Sequence, residues 1–262
     1  LQTGAEAPSD IRVLDGNDFP DLAAAALDYL NRVGPKRPPR RAAIAVAAPV
    51  TGDGVELTNR DWSFSISALK RRLGLDRLRV INDFTAMALG VPHVANDHLV
   101  HVCGGPGDIR RPRLVMGPGT GLGVSGLVPI EHGWVPLMTE GGHVDFAPTD
   151  DTEMAVLRIL KAWFGRVSVE RILCGQGLLN LYQAHAEIQG VAAPLDAPEK
   201  ITAAALENTD RLARHTLSHF CEILGRVAGN GVLTLGGTGG VFLCGGILPR
   251  FLDFFLESPF RN

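Results

Sequence analysis

The chain has 262 residues, 45% of them hydrophobic and 20% charged, enough apolar material for a sizeable core and too much for a disordered chain. Its 28 acids against 25 lysines and arginines give a net charge of −3, which argues against a dedicated binder of nucleic acid or of anionic membranes. No apolar run reaches the roughly 20 residues of a membrane-spanning helix; the longest, Ala42 to Val50, is strand-sized.

The pattern over residues 12–33 predicts a helix opened by Asp18 or Pro20, with Leu22, Ala26, Leu27 and Leu30 as its apolar stripe. The basic, proline-rich run at 35–41 is a solvated connector. Ala43 to Ala48 reads as a buried strand closed by Pro49 and a Gly/Asp turn, Val55 to Thr58 as a short strand, and Ser65 to Leu73 as a helix with Lys70, Arg71 and Arg72 exposed. Leu78 to Ile81 is a second buried strand, with a helix starting at Asp83 or Phe84. This alternation predicts an α/β layer. A boundary near Pro92 divides the chain into residues 1–93 and a larger unit, 94–262, that opens β-rich. There Leu114 to Met116 and Val124 to Val128 flank a glycine turn as a hairpin, and helices dominate from Thr152 onward. The longest helix runs from about Asp210 to Leu235, its buried stripe formed by Ala213, Leu217, Phe220, Leu224 and Val227. Gly225, Gly229 and Gly231 weaken that helix and predict another backbone packed closely against it. Val241 to Cys244 reads as a buried strand, followed by the Gly245-Gly246 turn and a helix from Pro249 to Leu256.

Cys103, Cys174, Cys221 and Cys244 lie far apart with no CxxC or zinc spacing, which suits reduced, buried thiols in a cytoplasmic protein. Leu1 in place of an initiator Met, and a stretch from Gln2 to Asp10 without a leader pattern, predict a piece of a longer chain. Glycine is the outlier, with 31 residues clustered at 117–126, 141–142, 225–231, 236–240 and 245–246, places where backbone must turn or approach another backbone or a ligand.

Five segments can carry chemistry. In VINDFTAMALG, 80–90, a strand delivers Asn82 and Asp83 to its carboxyl end, where ligands favour α/β sheets. A carboxylate at a helix N-terminus is held as an anion able to accept a proton, although either residue also reads as a plain N-cap. In LVMGPGTGLGVSGLV, 114–128, Gly121-x-Gly123-x-x-Gly126 formally fits a dinucleotide fingerprint, but a strand rather than a helix follows, and there is no GK[ST] of a Walker loop. A Gly/Thr hairpin turn can instead offer N–H groups and the Thr120 hydroxyl to phosphates, or be an ordinary hairpin. In EGGHVDFAP, 140–148, Glu140 and His143 have E-x-x-H spacing, but the intervening glycines exclude the helical di-metal geometry. A loop carboxylate and imidazole suit sugar hydroxyls, or the histidine is simply buried and satisfied. Asp150, Asp151 and Glu153 cap and charge the next helix. In SVERILCGQGLLNLYQA, 168–184, Glu170 alone reads as a capping acid, and Gly175 and Gly177 break the chain before a helix. In TLGGTGGVFLCGGILPRF, 234–251, a strand ends in a double glycine turning into a helix, a form found on the adenosine side of nucleotide sites and also in tight packing.

In this order INDFTAMA, GPGTGLGV, EGGHVDFAP, SVERILCGQGLLNLY and GGVFLCGGILPRFLDFF, with LTNRDWSFS at 57–65, closely resemble the bacterial glucokinase family of the hexokinase/actin-like ATPase superfamily, over essentially the whole chain. The resemblance implies an α/β, two-domain actin-like ATPase (ribonuclease H-like) fold around a cleft, ATP and Mg²⁺ as cofactors, glucose as substrate, a cytoplasmic location and a homodimer, with no nucleic-acid or membrane partner. By motif, Asp83 matches the catalytic base, and Asn82, Glu140, His143 and Glu170 match the ligands of glucose hydroxyls. Gly119, Thr120 and Gly121 match a phosphate loop, and Gly245 and Gly246 the adenosine motif. The family's N-terminal Asp-x-Gly-Gly-Thr hairpin and its C-terminal return segment are not in this sequence, so both ends read as truncated and the 262-residue piece is expected to be inactive by itself. The cysteine-rich zinc motif of the related sugar-kinase and repressor group is also missing. A sugar-binding regulator on the same fold, or a kinase for another hexose, are the alternatives.

Overall fold

A computed structural model describes residues 9–57 and 60–261, a mixed α/β chain that divides into two compact units, Leu1–Ala86 and Met87–Asn262.

In the first unit the predicted early helix is shorter than its sequence pattern. A 3-10 turn occupies Gly16–Asp18, and helix α1, Leu22–Val33, begins only after Asp21, whose Oδ1 accepts from the Ala24 amide (2.7 Å). Gly34, at φ +58°, closes it in the left-handed conformation that glycine tolerates best. Strand β1, Arg41–Val46, starts and ends two residues earlier than the expected Ala43 to Ala48 and is not buried throughout: its residues alternate between exposed and partly buried until Val46. The short strands β2, Gly54–Glu56, and β3, Ser63–Ser65, form an antiparallel hairpin; the predicted strand end at Thr58 lies outside the described residues. Ser65 caps helix α2, Ile66–Arg72, and β4, Arg77–Asn82, pairs in parallel with β1 so that Val46 lies opposite Asn82. Val46, Ala48, Val55 and Val80 form the small core of this unit. Helix α3, Asp83–Gly90, follows β4 without an intervening loop.

The stretch 94–112 contains no strand, so the second unit does not open β-rich; its sheet begins at β5, Arg113–Pro118. β5 and β6, Leu122–Ile130, form the predicted hairpin around Gly119–Gly121, and β7, Gly133–Leu137, adds to β6. β8, Val241–Leu243, pairs in parallel with β5, giving the order β7-β6-β5-β8. β8 is an edge strand, exposed at Val241 and partly buried elsewhere, rather than the buried strand its composition suggests. The helices are α4, Asp151–Phe164; α5, Gly175–Gln189; α6, Pro198–Leu206; α7, Arg211–Leu235; and α8, Leu252–Glu257, the last preceded by a 3-10 turn at Leu248–Phe251. α7 starts at its Asp210 cap and buries Ala213, Leu217, Phe220 and Leu224 of the predicted stripe, with Val227 partly buried. Two of its three glycines meet close neighbours: a Cβ on Gly225 would overlap the Phe260 carbonyl, and one on Gly231 would lie 2.7 Å from Leu114 of β5. Gly229 meets nothing and needs no close approach. Gly175 and Gly177 do not break the chain; they form the first turn of α5, where a Cβ on Gly177 would overlap Ile172.

All four cysteines are free thiols, but Cys103 is exposed. Asp150 caps α4 as expected, whereas Glu153 does far more than charge that helix. It is fully buried and accepts from the Thr149 amide (2.7 Å), from Arg226 and from His219 Nε2 (3.0 Å). His219 Nδ1 lies 2.9 Å from His185 Nε2, and the His215 ring is 4.7 Å from that of His185. This polar thread ties α4, α5 and α7 together inside an otherwise apolar core. Among the described residues no helix is long and apolar enough to cross a membrane.

Candidate active site

In the first unit the parallel register of β1 and β4 sets Asn82 and Asp83 at a carboxyl end of the strands, directly before α3. Both residues have capping roles, as their position allows. Asn82 Oδ1 accepts from the amides of Phe84 (2.9 Å) and Thr85 (3.1 Å), and Asp83 Oδ1 accepts from Phe84 (2.8 Å). The cap does not exhaust either group. The Asn82 amide nitrogen and Asp83 Oδ2 have no partner among the described residues, and Asp83 is exposed. The capping bonds fix the orientation of both side chains and leave one donor and one acceptor for a ligand.

In the second unit the structure brings Glu140, His143 and Glu170 together from two loops. Gly141–His143 forms a 3-10 turn after Glu140, and Val169–Arg171 another. The loops are joined by the Val169 amide donating to Val144 O (2.9 Å) and by a bridge between Asp145 and Ser168. His143 Nε2 lies 3.9 Å from Glu140 Oε2, and its Nδ1 3.8 Å from Glu170 Oε1. Both separations exceed a hydrogen bond, so the imidazole stands between two acceptors with room for hydroxyls. The glycines explain how this loop reaches the sheet: a Cβ on Gly142 would overlap the Leu122 carbonyl, and one on Gly141 would lie 2.9 Å from Val124. His143 is exposed, so the buried-histidine reading fails.

Sequence reasoning missed two supporting groups. Arg166 donates to the His143 carbonyl (2.8 Å) and to Asp145 (2.7 Å), clamping the loop, and nothing in its neighbourhood in sequence signals this. The Leu122 amide donates to Glu170 Oε2 (2.8 Å), so Glu170 is not a capping acid. Gly121 was the available clue, since a Cβ there would lie 2.5 Å from that carboxylate oxygen.

The phosphate and adenosine motifs also converge. β5 and β8 run parallel, and their carboxyl ends lead to Gly119–Gly121 and to Gly245–Gly246, the sheet edge where ligands favour α/β folds. The Cys244 amide donates to Met116 O (2.8 Å), and Gly245, at φ +91°, lies so close to Pro118 that a Cβ would be 2.6 Å from its carbonyl oxygen. Gly175, at the start of α5, donates its amide to Gly119 O (2.9 Å), while the Gly119 amide donates to Gly121 O (2.7 Å). The N–H groups of Thr120 and Gly121 and the Thr120 hydroxyl have no acceptor among the described residues, and Gly246 borders open space. Unpaired donors in a turn fit an anion such as a nucleotide phosphate. Cys174 caps α5 through its sulfur, with Gly177 N at 3.2 Å, and burial pushes its thiol pKa up, consistent with a packing role. Among the described residues no group of three or more His, Cys, Asp or Glu side chains could hold a metal.

Comparison with known proteins supports the motif reading. The family model for glucokinase matches residues 1–262. The glucokinase of Marinobacter nauticus is 67% identical over 262 residues, covering 100% of this chain and 81% of its own. The glucokinase of Hahella chejuensis is 55% identical over 252 residues, covering 96% and 78%. The crystal structure of a glucokinase from an Antarctic psychrotroph superposes with a TM-score of 0.86 at 36% identity, over 95% of this chain and 77% of that one, placing the fold in the actin-like ATPase class of sugar kinases. The chain belongs to the glucokinase family.

Proposed function

We propose that the chain carries the machinery for transfer of the γ-phosphoryl group of ATP to the 6-hydroxyl of glucose, with Asp83 as general base. The observation that carries this reading is the half-committed carboxylate at the end of β4. One oxygen of Asp83 is fixed by the Phe84 amide and the other is free to accept a proton. Asn82 keeps an amide donor available beside it.

Glu140, His143 and Glu170 then read the sugar's hydroxyl groups. Two carboxylates and an imidazole can accept from or donate to several hydroxyls, and an analogue lacking one would strand a desolvated partner. The unpaired N–H groups of Thr120 and Gly121, with the Thr120 hydroxyl, hold nucleotide phosphate, Gly245 lets the chain turn tightly against Pro118, and Gly246 leaves space for the adenosine side. Mg²⁺, when present with the nucleotide, takes oxygen ligands from phosphates and water and neutralises phosphate charge. The chain's own contribution is to align the acceptor hydroxyl, to accept its proton at Asp83 Oδ2 and to fix the phosphates by backbone donors. In this reading residues 1–93 are the smaller domain and 94–262 the larger, and the enzyme is a cytoplasmic homodimer.

The test is Asp83→Asn in the full-length protein. The amide still accepts from Phe84 but cannot take the proton, so kcat should fall by about 10²–10⁴-fold with glucose affinity little changed. Turnover near that of the parent enzyme removes Asp83 from the role of base.

A further inference from the structure

We propose that Glu170 is a positioning residue for the nucleotide-binding turn as well as a reader of the sugar, a division of labour between its two carboxylate oxygens that rests on the site reading above. Oε2 accepts from the Leu122 amide at 2.8 Å, the first residue of β6 and the last anchor of the turn that carries Thr120 and Gly121. Oε1 faces His143 Nδ1 at 3.8 Å and is the oxygen left for a ligand.

The turn is pinned at three points. The Gly119 amide donates to Gly121 O (2.7 Å), the Gly175 amide donates to Gly119 O (2.9 Å), and Glu170 holds Leu122. The first two restrain carbonyls at the end and the start of the turn, Gly121 O and Gly119 O. Among the described residues Glu170 is the side chain that holds the first residue of β6, and it does so from a loop 48 residues away in sequence. The fit is close: a Cβ at 121 would be 2.5 Å from Oε2 and 3.3 Å from Cδ. The glycine therefore serves the clamp as well as the turn. A bond to an ionised acceptor is stronger than one between neutral groups, and engaging Oε2 spends that oxygen's charge on an amide instead of presenting it to phosphate.

A glutamine at 170 separates clamp from charge. Its carbonyl oxygen can keep the Leu122 bond, while its amide replaces the oxygen that faces His143. An alanine removes both. Nucleotide affinity is measured without sugar, by calorimetric titration of the full-length parent, E170A and E170Q with Mg²⁺ and a non-hydrolysable ATP analogue. Glucose affinity is measured separately, and thermal midpoints check folding. The expected result is that E170A binds the analogue about tenfold more weakly, E170Q binds it as well as the parent or better, and both bind glucose more weakly. Analogue affinity unchanged in E170A, or lost equally in E170A and E170Q, overturns the clamp even if glucose binding is impaired. Glucose affinity unchanged in both variants overturns instead the assignment of Glu170 to the sugar, and with it the division of labour.

Discussion

Acid should destabilise the second unit more steeply than its carboxylates alone would, through the thread Glu153–His219–His185. The donor pattern explains why. Glu153 Oε1 takes the Nε2–H of His219, which leaves His219 Nδ1 as acceptor for the Nε2–H of His185. One proton lies between the two rings, and a second proton there would set two donors against each other 2.9 Å apart. Burial depresses the His185 pKa to about 3, with the like charges of His219 and His215 acting in the same direction and Asp150 opposing. His219 and His215 are lowered too, mainly by burial, with Glu222 opposing in both and Asp150 in the former. Arg226 on α7 is the remaining charge on the thread.

These are bases with folded-state pKa values below that of the unfolded chain, so the unfolded chain binds protons first. The stability they contribute is full above the unfolded value near 6.5 and is lost as pH falls toward the folded value. For His185 alone, going from pH 7 to pH 5 should cost about 2 kcal/mol. The perturbation is His185→Gln, which retains an N–H for His219 Nδ1 and removes the titration. Urea unfolding followed by tryptophan fluorescence at pH 7, 6 and 5 should show the variant losing less stability than the parent, by about that 2 kcal/mol over the range. Parallel pH profiles in parent and variant would refute the reasoning, because the carboxylates they share contribute equally to both.

His143→Ala should raise KM for glucose while changing KM for ATP much less, because its ring stands between Glu140 and Glu170 and not at the phosphate turn; the loss should be roughly 1–3 kcal/mol in kcat/KM, read by steady-state kinetics with each substrate varied in turn. Gly225 and Gly229, two of the three glycines of α7, should respond in opposite directions in thermal or urea unfolding. Gly225→Ala should destabilise by about 1–3 kcal/mol because its Cβ meets the Phe260 carbonyl. Gly229→Ala, facing open space in mid-helix, should stabilise by about 0.5–1 kcal/mol; destabilisation there would mean that the helix is not packed as described.

How much was legible depended on which physical signal each element carried. α7 was readable almost to the residue because a long amphipathic stripe with an Asp210 cap and a following glycine leaves few alternatives. The β5–β6 hairpin was readable because two β-patterned runs flank a glycine turn. α1 was overextended because the expected span, 12–33, took in residues with no tertiary face to bury: Val13 is among the most exposed apolar side chains of the described residues, and the stripe from Leu22 to Leu30 lies wholly within the observed helix. β8 misled for a related reason. Val-Phe-Leu composition suits a central strand equally well, and only the pairing shows that β5 lies on one side.

The site divides along the same line. Asn82 and Asp83 were found because a strand-to-helix junction is a local event written in adjacent residues, and local pattern could not choose between cap and ligand because the two are not exclusive. Oδ1 of each residue caps, and the remaining polar atom of each has no partner among the described residues. Glu170 had no comparable local signature. Its partner is a backbone amide, which every residue except proline carries, so the identity of Leu122 says nothing about the bond. The constraint appears in sequence only as an absence, the missing side chain at Gly121, and a glycine in a hairpin turn already has a sufficient reason to be glycine. Glu153 is the converse case. Its position at N3 of α4 gave a complete local explanation, and that explanation hid a buried carboxylate whose partners, Arg226 and His219, come from a helix more than sixty residues on. A residue can satisfy a local rule with its backbone and a distant one with its side chain. In this chain Glu153 does both, and Gly121, whose missing side chain suits the turn and admits the Glu170 carboxylate, is likewise where reading by local pattern is correct and incomplete at once.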